Sequence, residues 1–459
     1  MNNCINCLNK DIEIHDLKEE IVRLKKIISS QKMKEKEGIF GSSTPSSKIP
    51  LKENTKIDNP NKNGGKKEGD KGYGRKSATE ESADKIEYLY YEKDICPECL
   101  EKLAKKGYQE RTIIDIENNK PKEIIYKCEK KHCPKCRKIY QTKPKVLNNG
   151  LYGNNLIAQC CVMHYYHGIP IGRIESILGD YLTSSSLFSI FHKIANILEK
   201  SEEYLIEDYR KALVKHADET SWRTDGNSGF AWIFCSNDTT IFQFKNTRGS
   251  SVAKAIFGEE ELFGVLVVDR YAGYNKIKCK IQYCYAHLLR MVEDLGKDSD
   301  KEEVISFVSQ LSYYLSEAMH LKNLEISDEE YYKKAQIIKN NIIMITESRS
   351  NDFGIKNVQE IFIENTNRLY HWAYDRNVPA DNNRAERELR PTVVARKVSF
   401  GSQSEKGART RSIIMSYLHT ASKRIKDKPL EVWFKEILDK IVQNKDINPY
   451  NFLNSVNST

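Results

Sequence analysis

Residues 213–222, LVKHADETSW, are where the chain changes its periodicity from helical to alternating. Upstream, apolar residues recur three and four apart. From Val214 onward they recur at every second position, the spacing that lays one face of a strand on a core. Two further alternating runs, GFAWIFCS (229–236) and TTIFQFKN (239–246), follow with turn residues between them and predict an antiparallel meander. A short helix, SSVAKAIFG (250–258), then leads to GVLVVD (264–269), whose unbroken apolar run fits a strand buried on both faces. IQYCYAHLLRMVEDL (281–295) reads as another short strand running into a helix.

That succession describes a mixed α/β sheet of the ribonuclease-H type, with residues 296–375 as a helical insertion. Asp218 and Asp269 both stand in its apolar, strand-like segments. The next acidic candidate lies in DNNRAERELRPTVVAR (381–396), where Pro379 ends what precedes and Asp381 or Asn382 suits a helix N-cap. Glu386 then sits about one turn inside that helix, among Arg384, Arg387 and Arg390. We expect Asp218, Asp269 and Glu386 to converge on two divalent cations; the plainer alternative for Glu386 is an i, i+4 ion pair with Arg390. Glu219 should face the other side of its strand, and Glu388 lies roughly 200° round the helix from Glu386. His216 and Trp222 read as core residues. Arg270, Arg390, Arg396 and Lys397 are either phosphate contacts or surface charges.

Upstream, Cys96-Pro97-Glu98-Cys99 and Cys133-Pro134-Lys135-Cys136 flank two strand-like runs, RTIIDIE and KEIIYKC. Two CxxC turns across a short β segment are the pattern of a closed, structural Cys₄ zinc ribbon. Cys128 or His132 could replace one member of the second pair. Residues 151–213 read as helical, and IGRIESILG followed by a serine-capped helix is either a DNA-reading helix-turn-helix or an ordinary helical hairpin. Residues 38–84 have almost no apolar content and read as a linker. Its Lys66, Lys67, Lys71, Arg75 and Lys76 form either a solvated tether or a basic arm for a nucleic-acid backbone. Ile14, Leu17, Ile21, Leu24 and Ile28 outline a helix of about two heptads, either docked on its own domain or dimerising. The CxxC at Cys4 and Cys7 has no second pair nearby. After Ala408, two amphipathic helices lead to a tail reading NPYNFL (448–453).

The 459 residues carry 73 Lys and Arg against 64 Asp and Glu, a mild basic excess that suits a polyanionic partner. The N-terminus lacks the apolar run of a signal peptide, and no stretch approaches the roughly 20 apolar residues needed to span a bilayer. Twelve cysteines without an export signal argue for reduced thiols or metal ligands, hence a cytoplasmic protein without a membrane partner.

Taken together, HADETSW, VVDRY, CYAHLLR, NNRAERELRP, FGSQSEKGAR and the terminal NPYNFL resemble the IS66 family of DDE transposases, over nearly the whole chain. The resemblance implies a multidomain α+β protein: N-terminal helix (1–37), basic linker (38–84), zinc ribbon (85–145), helical DNA-binding region (146–213), ribonuclease-H-like core (214–295), helical insertion (296–375), the helix with the last carboxylate (376–425) and a helical tail (426–459). It implies Asp218, Asp269 and Glu386 as catalytic ligands of two Mg²⁺ (or Mn²⁺) ions, and Cys96, Cys99, Cys133 and Cys136 as ligands of one Zn²⁺. Cys284 and His287 match the family's CxxH element as accessory residues. The resemblance also implies a bacterial, nucleoid-associated protein. The expected partners are element-end and target DNA, further copies of the chain on DNA, and accessory proteins encoded by the element. A catalytically inactive DNA-binding regulator and a nuclease that cuts without joining are the alternatives.

Overall fold

The computed structural model describes residues 78–118, 120–147 and 150–454. The expected N-terminal helix, the Cys4/Cys7 pair and the linker lysines and arginine (Lys66, Lys67, Lys71, Arg75, Lys76) lie outside the described residues.

The first sheet contains β1 (Lys85–Leu89), β2 (Ala104–Glu117), β3 (Lys120–His132) and β4 (Ile139–Gln141). β2 pairs antiparallel with one edge of β3, while β1 (parallel) and β4 (antiparallel) share the other. β2 and β3 run beyond the apolar stretches that predicted them. Their charged ends, such as residues 104–110, carry the ladder out to the two cysteine turns.

This module is docked on helix α1 (Asn154–Cys161), which continues through a π-helical turn (Val162–Tyr166). The Ile114 N–H donates to Leu151 O, and the Gly153 N–H to Ile114 O, both at 2.8 Å. Asp115 Oδ1 accepts from the Leu156 N–H at 2.8 Å. A Cβ on Gly153 would lie 2.0 Å from the Asp115 carboxylate, so this close approach requires glycine. Helices α2 (Ile171–Leu178), α3 (Ser184–Leu198) and α4 (Glu202–Lys211) follow. Thr183 caps α3, its Oγ1 accepting from the Ser186 N–H.

The second sheet contains β5 (Val214–Thr224), β6 (Asn227–Cys235), β7 (Thr240–Lys245), β8 (Val265–Val268) and β9 (Lys280–Tyr283). Its spatial order is β7-β6-β5-β8-β9; the first two pairings are antiparallel, and β5–β8 and β8–β9 are parallel. Helix α5 (Ser250–Phe257) makes the crossover from β7 to β8. After β9 come α6 (Tyr285–Lys297), the helical excursion α7 (Glu302–Leu321), α8 (Asp328–Thr346) and α9 (Phe353–Glu364), and then α10 (Asn383–Ser399), α11 (Glu405–Arg424), α12 (Leu430–Gln443) and α13 (Asn451–Asn454).

Alternation along β6 sorts the core into two layers. Trp232 and Phe234 stack at 6.1 Å and meet Tyr274 and the α5 residue Phe257. The opposite face is covered by α10 and α11. α11 also seals the β7 edge, whose unpaired backbone groups would otherwise invite another strand. Ser416 Oγ accepts from the Phe242 N–H at 2.8 Å, and Thr420 Oγ1 accepts from the Thr240 N–H at 3.0 Å and donates to Thr240 O at 3.1 Å. These hydroxyls recur one helical turn apart.

α10 runs through Pro391 and ends on Phe400 in the left-handed region (φ 60°). Gly401 follows at φ 149°, where a Cβ would lie 2.2 Å from Arg223 O. Among the described residues no helix is long and apolar enough to cross a membrane.

Candidate active site

β5 and β8 are adjacent and parallel, their last pair being His216 with Val267. Asp218 lies two residues further along β5 and Asp269 directly follows the last residue of β8, so the parallel pairing leads both strands toward the same end of the sheet, where the Asp269 charge acts on Asp218. Asp218 pairs with Ile233 on the α10 side of the sheet; its neighbour Glu219 pairs with Trp232 on the other. There Glu219 accepts from the Tyr274 hydroxyl at 2.8 Å and pairs with Arg248 at 2.5 Å, as strand alternation predicts.

Glu386 arrives from α10, and one residue fixes that helix to β5. Asn382 occupies the expected N-cap position but makes no side-chain cap bond. Its amide instead reaches the strand: Nδ2 donates to Ala217 O and Oδ1 accepts from His216 Nδ1, both at 2.9 Å. Its own N–H donates to Cys284 Sγ at 3.2 Å, and the Tyr285 N–H donates to Ala380 O at 2.8 Å. β5, α6 and the start of α10 are thereby tied at one point. His216 is a satisfied core histidine; burial pushes its pKa down to about 3, so it is neutral. Replacing Asn382 with Ala leaves a buried ring N–H and a buried carbonyl unpaired. At about 1–3 kcal/mol per orphaned group, the expected loss is about 2–4 kcal/mol, read by urea denaturation. A loss below about 0.5 kcal/mol would refute the clamp.

The Asp218 carboxyl is pushed up to about 7, chiefly by burial, then by the negative charges of Glu219, Asp269 and Glu386. The three candidate carboxylates therefore share one electrostatic neighbourhood. Their oxygens are not all drawn to single-ion distance: among the described residues only the four ribbon cysteines form a group whose ligand atoms all lie within 4.8 Å of one another. Glu386 also faces Arg290 of α6 at 3.7 Å, and Arg290 contacts His287 Nε2 at 3.3 Å. Burial and Arg290 lower the His287 pKa, while Asp269 and Glu386 oppose this. His287 thus belongs to the carboxylate cluster, whereas Cys284 is buried beneath it as an acceptor for the Asn382 backbone. Arg290 was missed in the sequence because only the fold brings it to Glu386, 96 positions later in the chain.

Of the other flagged cations, Arg270, Arg390 and Lys397 are exposed. Arg396 is committed to β5, donating to Thr220 Oγ1 at 2.9 Å, Ser221 O at 2.6 Å and Ser221 Oγ at 2.7 Å. That position suits a brace between α10 and the strand rather than a phosphate contact. Glu388 turns away from Asp218, bonding Thr240 Oγ1 at 2.6 Å and pairing with Lys423 at 2.6 Å.

The cysteine cluster consists of Cys96, Cys99, Cys133 and Cys136. Each pair sits on the same turn: the Leu100 N–H bonds Cys96 O and the Arg137 N–H bonds Cys133 O, and Leu100 and Arg137 both take positive φ (62° and 56°). The sulfur separations of 3.5 and 4.0 Å bracket the ~3.8 Å edge of a tetrahedron with Zn–S of ~2.3 Å. Burial works to raise the Cys96 thiol, yet the Tyr140 hydroxyl and the Cys99 and Glu98 backbone bring it down to about 6. Cys128 and His132 lie outside the cluster; Cys128 is buried in β3, its sulfur 3.8 Å from Tyr126 O. The set can hold one zinc ion.

Comparison with known proteins finds a match over residues 149–410 to the family described as "Transposase IS66 family". An uncharacterized protein of Sinorhizobium fredii is 24% identical over 350 residues, covering 67% of this chain and 64% of its own length. The chain thus spans just under two thirds of that relative.

Proposed function

Because the chain belongs to the IS66 family of transposases, we propose that it is a DDE-type enzyme that binds the ends of a mobile element, cleaves them and joins them to target DNA. The observation that supports this reading is Asp218 on β5 and Asp269 just past the end of the parallel neighbour β8, with the Glu386 helix clamped to β5 by Asn382. The strand order β7-β6-β5-β8-β9, antiparallel then parallel, supports a ribonuclease-H-like core, with α7–α9 as its insertion.

The residues suit divalent cations. Mg²⁺ and Mn²⁺ prefer oxygen ligands, and a bound cation would offset the burial and then the neighbouring negative charges that raise Asp218. Asp218, Asp269 and Glu386 would hold the ions through their carboxylate oxygens. Such ions activate an attacking oxygen and stabilise a leaving one at phosphorus. Arg290, beside Glu386, would hold that carboxylate before the ions bind and then turn to a phosphate. His287, held neutral by burial and Arg290, is placed to exchange a proton with a water or hydroxyl at the cluster. The cysteine cluster would hold structural zinc, and the ribbon, α2–α3 and the basic linker would supply DNA affinity. Assembly of several copies on the DNA and help from accessory proteins complete the proposal.

The test is Mg²⁺-dependent cleavage and strand transfer on element-end DNA by the wild type and by Glu386→Ala. Loss of several kcal/mol of charge stabilisation corresponds to a rate drop on the order of 10³-fold. Equal rates in the two proteins would remove Glu386 from the site. Cleavage without joining to a 3′-hydroxyl end would favour the nuclease reading.

A further inference from the structure

The FGSQSEKGAR segment (400–409) has no part in the carboxylate site, yet it closes a cavity of about 310 Å³ between the α1–α3 region and the α10–α11 turn. Arg411, on the first turns of α11, lines this cavity and is only 8% exposed. Its two hydrogen-bond contacts are His164 Nε2 at 3.1 Å and the Met415 sulfur at 3.8 Å. Its guanidinium also lies over the rings of Tyr165 and Trp222, each at 5.4 Å.

None of these partners is an anion. His164 Nδ1 is engaged with Ile169 O at 2.9 Å, which makes Nδ1 the N–H and leaves Nε2 as an acceptor. Burial and the neighbouring Arg411 push the His164 pKa down to about 3, so the ring adds no charge. Among the described residues no Asp or Glu lines the cavity. A buried cation without a counter-charge is costly, and proteins ordinarily pair or neutralise one.

The other polar groups on the wall are of the matching kind. His192 lines it with Nδ1 taken by Thr410 Oγ1 at 2.6 Å, and Ser402, Gln403 and Ser404 come from the turn entering α11. That helix begins at Glu405, so the cavity also meets a positive helix end. The surroundings thus combine a guanidinium over two aromatic rings with hydroxyl and amide groups and, among the described residues, no carboxylate.

We propose that this cavity is a binding site for a phosphate group, with Arg411 as its principal ligand. Trp222 places it four residues along β5 from Asp218, roughly 13 Å away in an extended strand, so it is separate from the carboxylate cluster. The phosphate can come from a DNA backbone or from solution, and the chemistry is the same for both. The site does not require the chain to be an active transposase.

The test compares the wild type with Arg411→Met, a near-equal volume without the charge. With inorganic phosphate at roughly ten times its Kd, the wild-type melting midpoint should rise by about 2 °C, and that of the Met variant should not move. A short duplex DNA then separates the sources. If its backbone fills the site, phosphate competes with the duplex in the wild type and not in Arg411→Met; if free phosphate fills it, duplex affinity is the same in both proteins. Because Arg411→Met alters a buried position, a second measurement uses the wild type alone: a tungstate soak, read by anomalous scattering. Tungsten within hydrogen-bond reach of Arg411 supports the site. An empty cavity in the soak, or equal phosphate shifts in the two proteins, overturns it.

Discussion

Asp218→Asn is expected to abolish DNA cleavage, with a loss on the order of 10³-fold or more, and yet to melt at a higher temperature than the wild type at pH 8 in the absence of divalent ions. The second half follows from the sign of the Asp218 shift. Burial and three neighbouring carboxylates raise its folded-state pKa from 3.8 to about 7. Between those values the folded chain holds a proton that the unfolded chain has released, so stability falls as pH rises through the window. Above about pH 7 the penalty is fully expressed. A shift of about three units corresponds to at most about 4 kcal/mol, or up to about 5 °C for a chain of this size.

The asparagine side chain is nearly isosteric and carries no charge, so it escapes the penalty. Added Mg²⁺ should then reverse the order, stabilising the wild type by offsetting the crowded charges while leaving the variant unmoved. Thermal scans at pH 5 and pH 8, with and without Mg²⁺, read all of this. A wild type that is insensitive to Mg²⁺ at pH 8, or an Asn variant that responds equally, would mean that the carboxylates do not form a cation site. The same crowding that makes the empty fold less stable at high pH is what would give a divalent ion its affinity, a common tension between stability and function.

How much of this was legible in the sequence depends on how local each signal is. Alternation in LVKHADETSW and GFAWIFCS and the solid apolar run of GVLVVD are properties of single segments, and the corresponding strands form where they were read. The two faces of β5 were legible for the same reason, since Glu219 and Asp218 must point oppositely. Asp381 or Asn382 reads as an N-cap because the local context is that of a cap, and Asn382 takes that position. Its side chain is instead drawn to His216 and Ala217, residues more than 160 positions earlier, and no local pattern records that pull. Arg290 is hidden likewise. Arg396 reads equally as a phosphate contact or a surface charge, because an arginine at the end of a polar helix usually faces water; the hydroxyls of Thr220 and Ser221 instead hold it against β5. The charged outer ends of β2 and β3 carry no alternation, because apolar burial does not order them; a continuous ladder leading to the cysteine turns does.

Those turns give the second large effect. Stripping zinc with a strong chelator, or replacing Cys133 with Ser, is expected to unfold the outer ribbon while the β5–β9 sheet stays intact. The apolar cluster around the cysteines contains only Leu103 with Cys96 and Cys133, flanked by Tyr91, Cys99, Cys136 and Tyr140. So small a core cannot offset the ordering entropy of two loops, whereas a structural zinc supplies roughly 10–16 kcal/mol in comparable peptide sites. The main sheet has its own buried layers around Trp232, Phe234 and Leu266 and does not depend on the metal. Hydrogen exchange should therefore show protection lost at residues 90–105 and 130–141 and retained across β5 and β6. Zinc analysis should return one ion per chain for the wild type and for Cys128→Ser, whose sulfur lies outside the cluster, and none for Cys133→Ser. If Cys128→Ser loses the ion while Cys133→Ser keeps it, the tetrahedral set has been assigned to the wrong thiol, and β3 must slide in register to bring Cys128 to the metal.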